Sequence, residues 1–355
     1  MARGKRKVPD INSSSTADIA FLLLIFFLIT TSMDTDRGLA RLLPPPPEDQ
    51  DQQNTDKIKE RNILQVYLNK DDALMCGNDY IGVEQLREKA KEFIANAGNA
   101  EHMPEKTQKN VEFFGTTLVN DKHVISLQND RGSSYQAYIS VQNELVAAYN
   151  ELRDELALQK WQRPYAELND EQQKAIREIY PQRISEAEPK KYGEKRKYVM
   201  GKFNKTGKRE MPALNTSSLP DLIFTLLFFF MIVTTMREVT LKVQFTLPVG
   251  TELEKLEKKS LVTFIYVGEP TQEYRAKMGT ESRIQLNDSY AEVGEVQDFI
   301  FQERASMNEG DQAKMTVSLK VDQKTKMGII TDVKNALRKS YALKINYSST
   351  KRGEK

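Results

Sequence analysis

Two aspartates lie within the most apolar stretches of the sequence. Asp18 is followed by eleven unbroken apolar residues, 19–29, and Asp221 stands at the corresponding point of a second apolar block. A charged side chain at the centre of a membrane span costs about 2.5–3.5 kcal/mol, so acidic residues found there are usually functional. Hydrocarbon favours the neutral acid, whereas a polar or water-filled contact favours the carboxylate. Asp18 and Asp221 are therefore candidate proton-translocating residues.

The elements that must position these aspartates are two predicted transmembrane helices, residues 11–33 and 214–236. Each block is long enough, at ~1.5 Å per residue, to cross a hydrocarbon layer of ~30 Å. A helix that began at Asp18 would keep only residues 19–33, which is too short. We therefore expect each helix to begin earlier and to bury its aspartate about two turns inside. The alternative is that each aspartate caps its helix at the membrane surface.

The composition excludes several classes of protein. Of 355 residues, 39% are hydrophobic and 29% are charged, and the net charge is +2. These averages rule out a polytopic channel and show no footprint of nucleic-acid binding. One cysteine and two histidines exclude a disulfide framework and disfavour a Cys- or His-based metal site. Ser133, Ser134, His123 and Asp130 are close in sequence, but no nucleophile-elbow glycine pattern surrounds them. We expect no enzyme, no catalytic residue, no metal and no cofactor.

The chain contains an internal repeat. A shift of 203 residues superimposes the two apolar blocks without a gap and places Asp18 on Asp221. Gly, Lys, Arg, Pro and Asn positions match in the same register, which shared hydrophobicity alone does not explain. A second match, at a shift of 192 residues, aligns Ser126-Leu127-x-x-Asp130 with Ser318-Leu319-x-x-Asp322. The chain is therefore expected to hold two copies of one plan.

The predicted fold class is α+β, with each copy consisting of a single transmembrane helix followed by a small periplasmic α/β domain. The predicted segments are a basic cytoplasmic tail (1–10), the first span (11–33), a Pro-rich linker (34–60), a first domain with insertions (61–199), a second basic tail (200–213), the second span (214–236) and a second domain (237–355).

Hydrophobic periodicity predicts the elements of both domains. In the first domain these are strands at 63–68 and 124–128 and helices at 83–95 and 137–158. In the second they are strands at 261–267, 315–321 and 343–347 and helices at 293–304 and 329–341. Ile330, Val333 and Leu337 recur at helical spacing and indicate a core-facing side.

Residues 97–122 and 160–190 of the first copy have no obvious counterpart in the second. They are interpreted as insertions, the latter charged and either helical or disordered. Trp161 falls in this region and is expected to pack rather than to anchor a partner. Cys76 is expected to be a half-buried apolar residue. Asp130 and Asp322 each end a strand, which suits a turn or a helix start.

Both apolar blocks resemble the ExbD/TolR family of energy-transducing proteins of the bacterial inner membrane. The resemblance rests on an Asn-x-Ser stretch followed by Asp18-Ile-Ala-Phe-Leu-Leu-Leu-Ile-Phe-Phe, and on Asp221-Leu-Ile-Phe-Thr-Leu-Leu-Phe-Phe-Phe in the second copy. It is close over 4–33 and 207–236 and looser in the polar domains. The family resemblance implies one span per copy, periplasmic domains, and an essential protonatable carboxylate, here Asp18 and Asp221.

The same resemblance implies the partners. They are an ExbB-like multi-helix membrane protein that encloses the spans, a TonB-like protein, and a homo- or hetero-dimer of the ExbD type in the lipid bilayer, with no nucleic acid. The implied function is a proton-motive-force-coupled transducer that powers outer-membrane transport. Two alternatives stay open: a TolR-like or stator-like subunit that binds the cell wall, and an inert membrane-anchored binding module.

The charges that flank the two spans predict the same orientation for both, which one continuous chain with two spans cannot adopt. Lys and Arg precede both spans, so both predict the amino-terminal side in the cytoplasm. A chain that crosses at 11–33 must cross back at 214–236. Met200-Gly-Lys-Phe-Asn-Lys looks like a fresh start, similar to Met1-Ala-Arg-Gly-Lys-Arg. We interpret the chain as two subunits joined together, which requires either one inverted copy or processing near residues 190–205.

Overall fold

The computed structural model describes residue 21 and residues 36–46, 59–187, 239–256 and 261–351. Both predicted spans, with Asp18 and Asp221, lie outside these residues apart from Phe21, which is helical. None of the helices in the described ranges has the length and apolar character needed to cross a membrane. The described residues from 36 onwards, apart from residue 239, belong to one compact unit.

The first half of this unit contributes eight strands and three α-helices to the described residues. They are, in chain order, β1 (Arg37–Leu42), β2 (Ile63–Leu68), β3 (Leu74–Cys76), β4 (Asp79–Ile81), α1 (Val83–Ala95), β5 (Thr107–Val111), β6 (Gly115–Val119), β7 (Val124–Asn129), α2 (Tyr135–Trp161), α3 (Asp170–Ile179) and β8 (Ile184–Ala187).

The second half repeats most of this order. Its elements are β9 (Val243–Gln244), β10 (Val249–Gly250), β11 (Glu254–Lys255), β12 (Val262–Pro270), α4 (Gln272–Met278), β13 (Arg283–Leu286), β14 (Ser289–Ala291), α5 (Val293–Ser306), α6 (Glu309–Gln312), β15 (Thr316–Val321), α7 (Met327–Lys339), β16 (Lys344–Ser348) and β17 (Thr350–Lys351).

The two domains share one sheet topology. The first sheet has the order β4-β3-β2-β7-β8, and the second contains the matching order β14-β13-β12-β15-β16. The last three strands of each order, β2-β7-β8 and β12-β15-β16, pair in parallel. The short hairpin strands pair antiparallel with their neighbours. Parallel neighbours require crossover connections, which the helices supply. The shared topology supports the repeat inferred from the sequence.

A strand from the first copy completes the sheet of the second. β1 pairs antiparallel with β16, with Leu39 opposite Tyr347, and β11 then pairs with β1. Leu39 is only 2% exposed. The sequence interpretation treated residues 34–60 as a linker and did not include this strand. Arg37-Gly-Leu-Ala-Arg-Leu has no β-branched residue, and its partner strand lies about 300 residues further along the chain.

The two domains also share one hydrophobic core. A single cluster of buried side chains includes Val66 and Leu127 of the first domain and Leu319 and Tyr347 of the second. The predicted core positions Ile330, Val333 and Leu337 are completely buried in it, so that prediction is confirmed. The shared core makes the two domains one folded body rather than two independent ones.

The long periodic segments were predicted closely. The predicted strand at 63–68 and helix at 83–95 coincide with β2 and α1. The predicted helix at 137–158 is extended at both ends, to Tyr135 and Trp161. The short hairpin strands β3, β4, β13 and β14 were not predicted, since three or four residues carry too little periodicity.

The two insertions are folded. Residues 107–119 form the antiparallel hairpin β5–β6, and residues 170–179 form α3, in agreement with the helical alternative for this region. Trp161 packs edge-on against Phe113 and Phe114, with ring centroids 5.9 and 5.4 Å away, so the packing interpretation is confirmed. Cys76 is 4% exposed and therefore more deeply buried than expected. β8 is the counterpart of β16, so residues 184–187 are not part of an insertion.

Candidate functional site

The two domains meet at the turns that lead into α2 and α7. Asp130 follows β7, and its Oδ1 accepts a hydrogen bond from the N–H of Gly132 at 2.7 Å. Asp322 follows β15, and its Oδ2 accepts one from the N–H of Lys324 at 3.0 Å. Both aspartates therefore form the turns that the sequence predicted. Each turn delivers the chain to the first residue of a helix.

Each turn binds the other through its backbone. The N–H of Tyr135 donates to the carbonyl of Thr325, and the N–H of Met327 donates to the carbonyl of Ser133, both at 2.9 Å. Ser134 and Lys326 form an antiparallel bridge between these bonds. Tyr135 and Met327 occupy equivalent positions under the 192-residue shift, as do the two acceptors.

A second reciprocal pair surrounds the first. The N–H of Gln136 donates to the carbonyl of Gln323 at 3.0 Å, and the N–H of Gly328 donates to the carbonyl of Arg131 at 2.8 Å. Such mutual contacts, in which i meets j and j meets i, define an isologous interface about a two-fold axis. The bonds also satisfy amides in the first turns of α2 and α7, which have no partner within a helix. We call this contact region the seam.

A buried ion pair lies beside the seam. Glu186, in β8, pairs with Lys334, in α7, and their side chains are 18% and 11% exposed. Glu186 also accepts hydrogen bonds from the hydroxyl of Tyr138 at 2.6 Å and from Nε2 of Gln142 at 3.0 Å. The Tyr138 hydroxyl lies 3.1 Å from that of Tyr347, in β16. The cluster therefore joins two elements of each domain.

The two buried charges keep each other ionised. Burial by itself would raise the pKa of Glu186, but the ammonium of Lys334 and the hydroxyl of Tyr138 outweigh it, and that pKa is lowered. Burial would lower the pKa of Lys334, but the charge of Glu186 and the hydroxyl of Tyr347 outweigh it, and that pKa is raised. If the domains were separated, each group would lose its counter-charge. Removing one partner of a buried pair is strongly destabilising.

A second ion pair crosses the seam. The guanidinium of Arg131 binds the carboxylate of Asp332 with both of its terminal nitrogens, at 3.0 and 2.7 Å. This two-point geometry is the strong form of an ion pair. The carboxylate raises the pKa of Arg131, so the guanidinium stays charged. Both charged contacts of the seam thus join one domain to the other.

The chain that follows the predicted first span is fixed to the second domain. Asp36, just before β1, pairs with Lys320 in β15 at 2.7 Å. Arg41, within β1, also contacts the first domain, where it donates to Oε1 of Gln142 in α2 at 2.7 and 3.1 Å. The N–H of Leu43 donates to the carbonyl of Leu343 at 2.8 Å. Only residues 34 and 35 separate the end of that predicted span from the first of these contacts.

The chain that follows the predicted second span is fixed to the same domain. Gln285, completely buried in β13, accepts hydrogen bonds from the N–H groups of Lys242 and Val243, at 2.8 and 3.1 Å. Its Nε2 donates to the carbonyl of Thr240 at 2.8 Å. Residues 243–244 then pair with the end of β12. Both segments that leave the predicted spans are therefore bound to the second sheet.

The structure does not bring His123, Ser133 and Asp130 together as a catalytic group. His123 is buried, its Nδ1 lies 2.7 Å from the carbonyl of Asn120, and its Nε2 lies 2.7 Å from the hydroxyl of Tyr149. The hydroxyl of Ser133 donates to the carbonyl of Asp130, not to its carboxylate. Among the described residues, no group of three or more His, Cys, Asp or Glu is placed to hold a metal.

Asp18 and Asp221 lie outside the described residues, so their role stays a prediction. The charged residues at the seam, Arg131, Glu186, Asp332 and Lys334, were not singled out from the sequence. A comparison of the two copies position by position could have found them, because each charged residue of one copy corresponds to an uncharged residue in the other.

Two domains with matching sheet topology define a tandem α+β protein. The sequence model of the family described as Biopolymer transport protein ExbD/TolR matches residues 4–153 and 207–350. The chain therefore belongs to the ExbD/TolR family and carries two tandem copies of its unit. No curated protein and no solved structure matches it.

Family membership sets the general function. Members are transport-associated, non-enzymatic subunits of biopolymer transport systems that transduce energy. They are inner-membrane proteins with periplasmic domains and are associated with systems of the ExbB and TonB type.

Proposed function

We propose that this chain is a proton-motive-force-coupled subunit of an ExbB-ExbD-TonB type complex that powers transport across the outer membrane. Asp18 and Asp221 are the groups that take up and release protons within the two spans. An ExbB-like multi-helix protein surrounds the spans in the bilayer, and a TonB-like protein receives the motion. Family membership over 4–153 and 207–350 supports this proposal.

The energetics of the two aspartates fit this role. An ionised carboxylate in a span costs about 2.5–3.5 kcal/mol, and one charge that crosses the membrane gains about 2.3 kcal/mol per 100 mV. Because the two magnitudes are similar, a physiological gradient is sufficient to alternate each aspartate between a neutral form in lipid and a charged form facing the partner. That alternation turns or shifts the helix.

The proposed transfer of motion from the spans to the folded domains rests on one observation. The segments that follow the two predicted spans are both bound to the second sheet. β1 follows the first span and pairs with β16, while residues 243–244 follow the second span and pair with β12. A rotation or pull in either span therefore reaches the same sheet. β1 is held along its length by backbone hydrogen bonds and buries Leu39, which makes it a stiff connection rather than a slack linker.

The shared core also bears on the topology conflict. Two domains with one hydrophobic core must lie on the same side of the membrane, whereas a single complete crossing at 214–236 would place them on opposite sides. We therefore favour a break or a second translation start between residues 190 and 205, near Met200, over an inverted copy. Epitope tags at both ends, combined with protease protection, test this: two bands with both domains on the periplasmic side are expected, and one uncut band with the domains on opposite sides contradicts it.

The proton role is tested by Asp18→Asn and Asp221→Asn, singly and together, with proton-gradient-dependent uptake across the outer membrane as the readout. We expect each substitution to abolish or strongly reduce uptake, because asparagine has the same shape and cannot exchange a proton. Glutamate at the same positions should retain part of the activity. Asp71→Asn, at an exposed turn, is the control and should change nothing. Full uptake in the double asparagine variant would refute the role.

A further inference from the structure

The seam is symmetric in its backbone and asymmetric in its charges. The four reciprocal hydrogen bonds relate residues 131–136 to residues 323–328 by the 192-residue shift. Under the same shift Lys334 corresponds to Gln142, and Asp332 corresponds to Ser140. The same backbone therefore presents different side chains on its two sides.

The strands that face these helices differ in the same way. Ile184 pairs with Ile125, and Ile345 pairs with Val317, the counterpart of Ile125. Glu186 is therefore the counterpart of Tyr347. Lys334 pairs with Glu186, whereas Tyr347, the counterpart of Glu186, lies against the hydroxyl of Tyr138, to which Gln142 donates. The ion pair exists on one side only.

Pairs of two identical domains, built with the same seam geometry, would leave charged residues opposite uncharged ones. In a pair of two first domains, each Glu186 would face Gln142 of the other copy, would lose its direct partner Lys334 and would keep only the weaker influence of Arg41. In a pair of two second domains, each Lys334 would face Tyr347 and would have no carboxylate. Arg131 would likewise face Ser140, and Asp332 would face Gln323. A buried charge without its counter-charge is strongly unfavourable.

We propose that the seam selects hetero-association: the first domain of this chain binds the second domain in preference to another copy of itself, and the second behaves likewise. The unpaired buried charges of the self-pairs act against the wrong partner, while the reciprocal backbone bonds supply the shared docking geometry. The selection operates whether the two halves are joined or separate. It thus fixes an ordered pair in which one copy always supplies β1 to the sheet of the other.

Disulfide trapping on the pseudo-two-fold axis tests this selection. Ser134 and Lys326 face each other in an antiparallel bridge, so cysteines at these positions have equivalent geometry in the 134–326 pair, the 134–134 pair and the 326–326 pair. The full-length chain would carry Ser134→Cys and Lys326→Cys in a Cys76→Ala background, with a protease site inserted between the domains. Cutting the folded protein in membranes frees the halves to exchange before oxidation, and the three products are then counted by mass.

We expect the 134–326 product to exceed either self-product about 100-fold. A neutral set, in which Glu186→Gln, Lys334→Gln, Arg131→Gln and Asp332→Ser remove the charge differences, should lower this ratio at least tenfold. A charge exchange, Glu186→Lys with Lys334→Glu, should keep the ratio high, whereas Lys334→Glu alone should lower the 134–326 yield about tenfold.

Two results would overturn the proposal. One is a yield of 134–134 or 326–326 product comparable with the 134–326 product in the charged protein. The other is an unchanged ratio in the neutral set, which would assign the preference to something besides these charges. Because uptake is not measured, neither result depends on the proton role of Asp18 and Asp221.

Discussion

Replacing Gly38 by alanine is expected to loosen β1 from the second sheet. Gly38 lies in β1 opposite Ser348. A Cβ there would overlap the carbonyl oxygen of Tyr347 and would lie 2.5 Å from Oδ1 of Asn346. A backbone oxygen cannot move aside as a flexible side chain can. One methyl group therefore forces β1 and β16 apart.

The expected size of the effect follows from what β1 and the residue after it, Leu43, bury. Leu39 and Leu43 are 2% and 4% exposed, and full burial of a leucine contributes about 1.5–3 kcal/mol. Overpacking of one carbon typically costs about 1–3 kcal/mol, which is less than the strand contributes through both leucines. β1 should therefore stay bound on average but open roughly 10–100 times more often, since 1.4 kcal/mol corresponds to a factor of ten.

Amide hydrogen exchange measures this opening directly. Amides of β1 and β16 should exchange faster in Gly38→Ala by that factor, while amides of β2 and β7 should be unaffected. Gly294→Ala, in α5, is the matched control, because a Cβ there meets no atom within 4 Å and alanine favours a helix by about 1 kcal/mol. Unchanged exchange in β1, or an equal change in the control, would refute the reasoning.

Three further predictions concern the first domain. Burial lowers the pKa of His123 to about 4, whereas a histidine in the unfolded chain has a pKa of about 6.5. Between these pH values only the unfolded chain gains a proton, so the free energy of unfolding should fall by about 3 kcal/mol as the pH drops from 6.5 to 4. His123→Gln should remove that part of the pH dependence of unfolding. Asn143→Ala removes the oxygen that accepts hydrogen bonds from the N–H groups of residues 251–252, and it should lower the free energy of unfolding by about 2–3 kcal/mol in denaturant titrations. Asn335→Ala, the same change at the half-buried counterpart, should lower it by less than about 1 kcal/mol. The Cys76 thiol, buried and with its pKa raised by burial, should react with a thiol reagent only at the rate of global unfolding; rapid labelling of the native protein would contradict its placement.

The elements that the sequence predicted well are those whose pattern is local and long. Residues 83–95 repeat apolar positions over more than three turns, and the observed helix has the same bounds. Residues 63–68 are a compact apolar run between polar residues, and they form β2. In both cases the buried side is visible without knowledge of the partner element.

The elements that were missed depend on partners far along the chain. β1 has ordinary composition, and only its pairing with β16 makes it a strand. Glu186 reads as an exposed residue of a charged insertion until Lys334 and Tyr138 are seen around it. The repeat was visible in the sequence. The contacts between its two copies, however, depend on side chains that differ between the copies, and a search for similar positions does not find these.

The two aspartates and the folded domains supply different parts of the proposed mechanism. The apolar context of Asp18 and Asp221 comes from the sequence alone, whereas the attachment of both emerging segments comes from the folded domains. The proposed mechanism needs both: a proton-dependent motion in the span, and a stiff connection that carries it to the sheet.

Carbodiimide labelling of carboxyl groups in membranes tests the central claim most directly. Reaction with Asp18 and Asp221, read by mass spectrometry, should occur with a lipid-soluble carbodiimide, should be slow with a water-soluble one, and should change when a proton gradient is applied. The exposed carboxylate of Asp71 should show the opposite preference and no response to the gradient. Rapid reaction of both aspartates with the water-soluble reagent, unaffected by the gradient, would contradict the account.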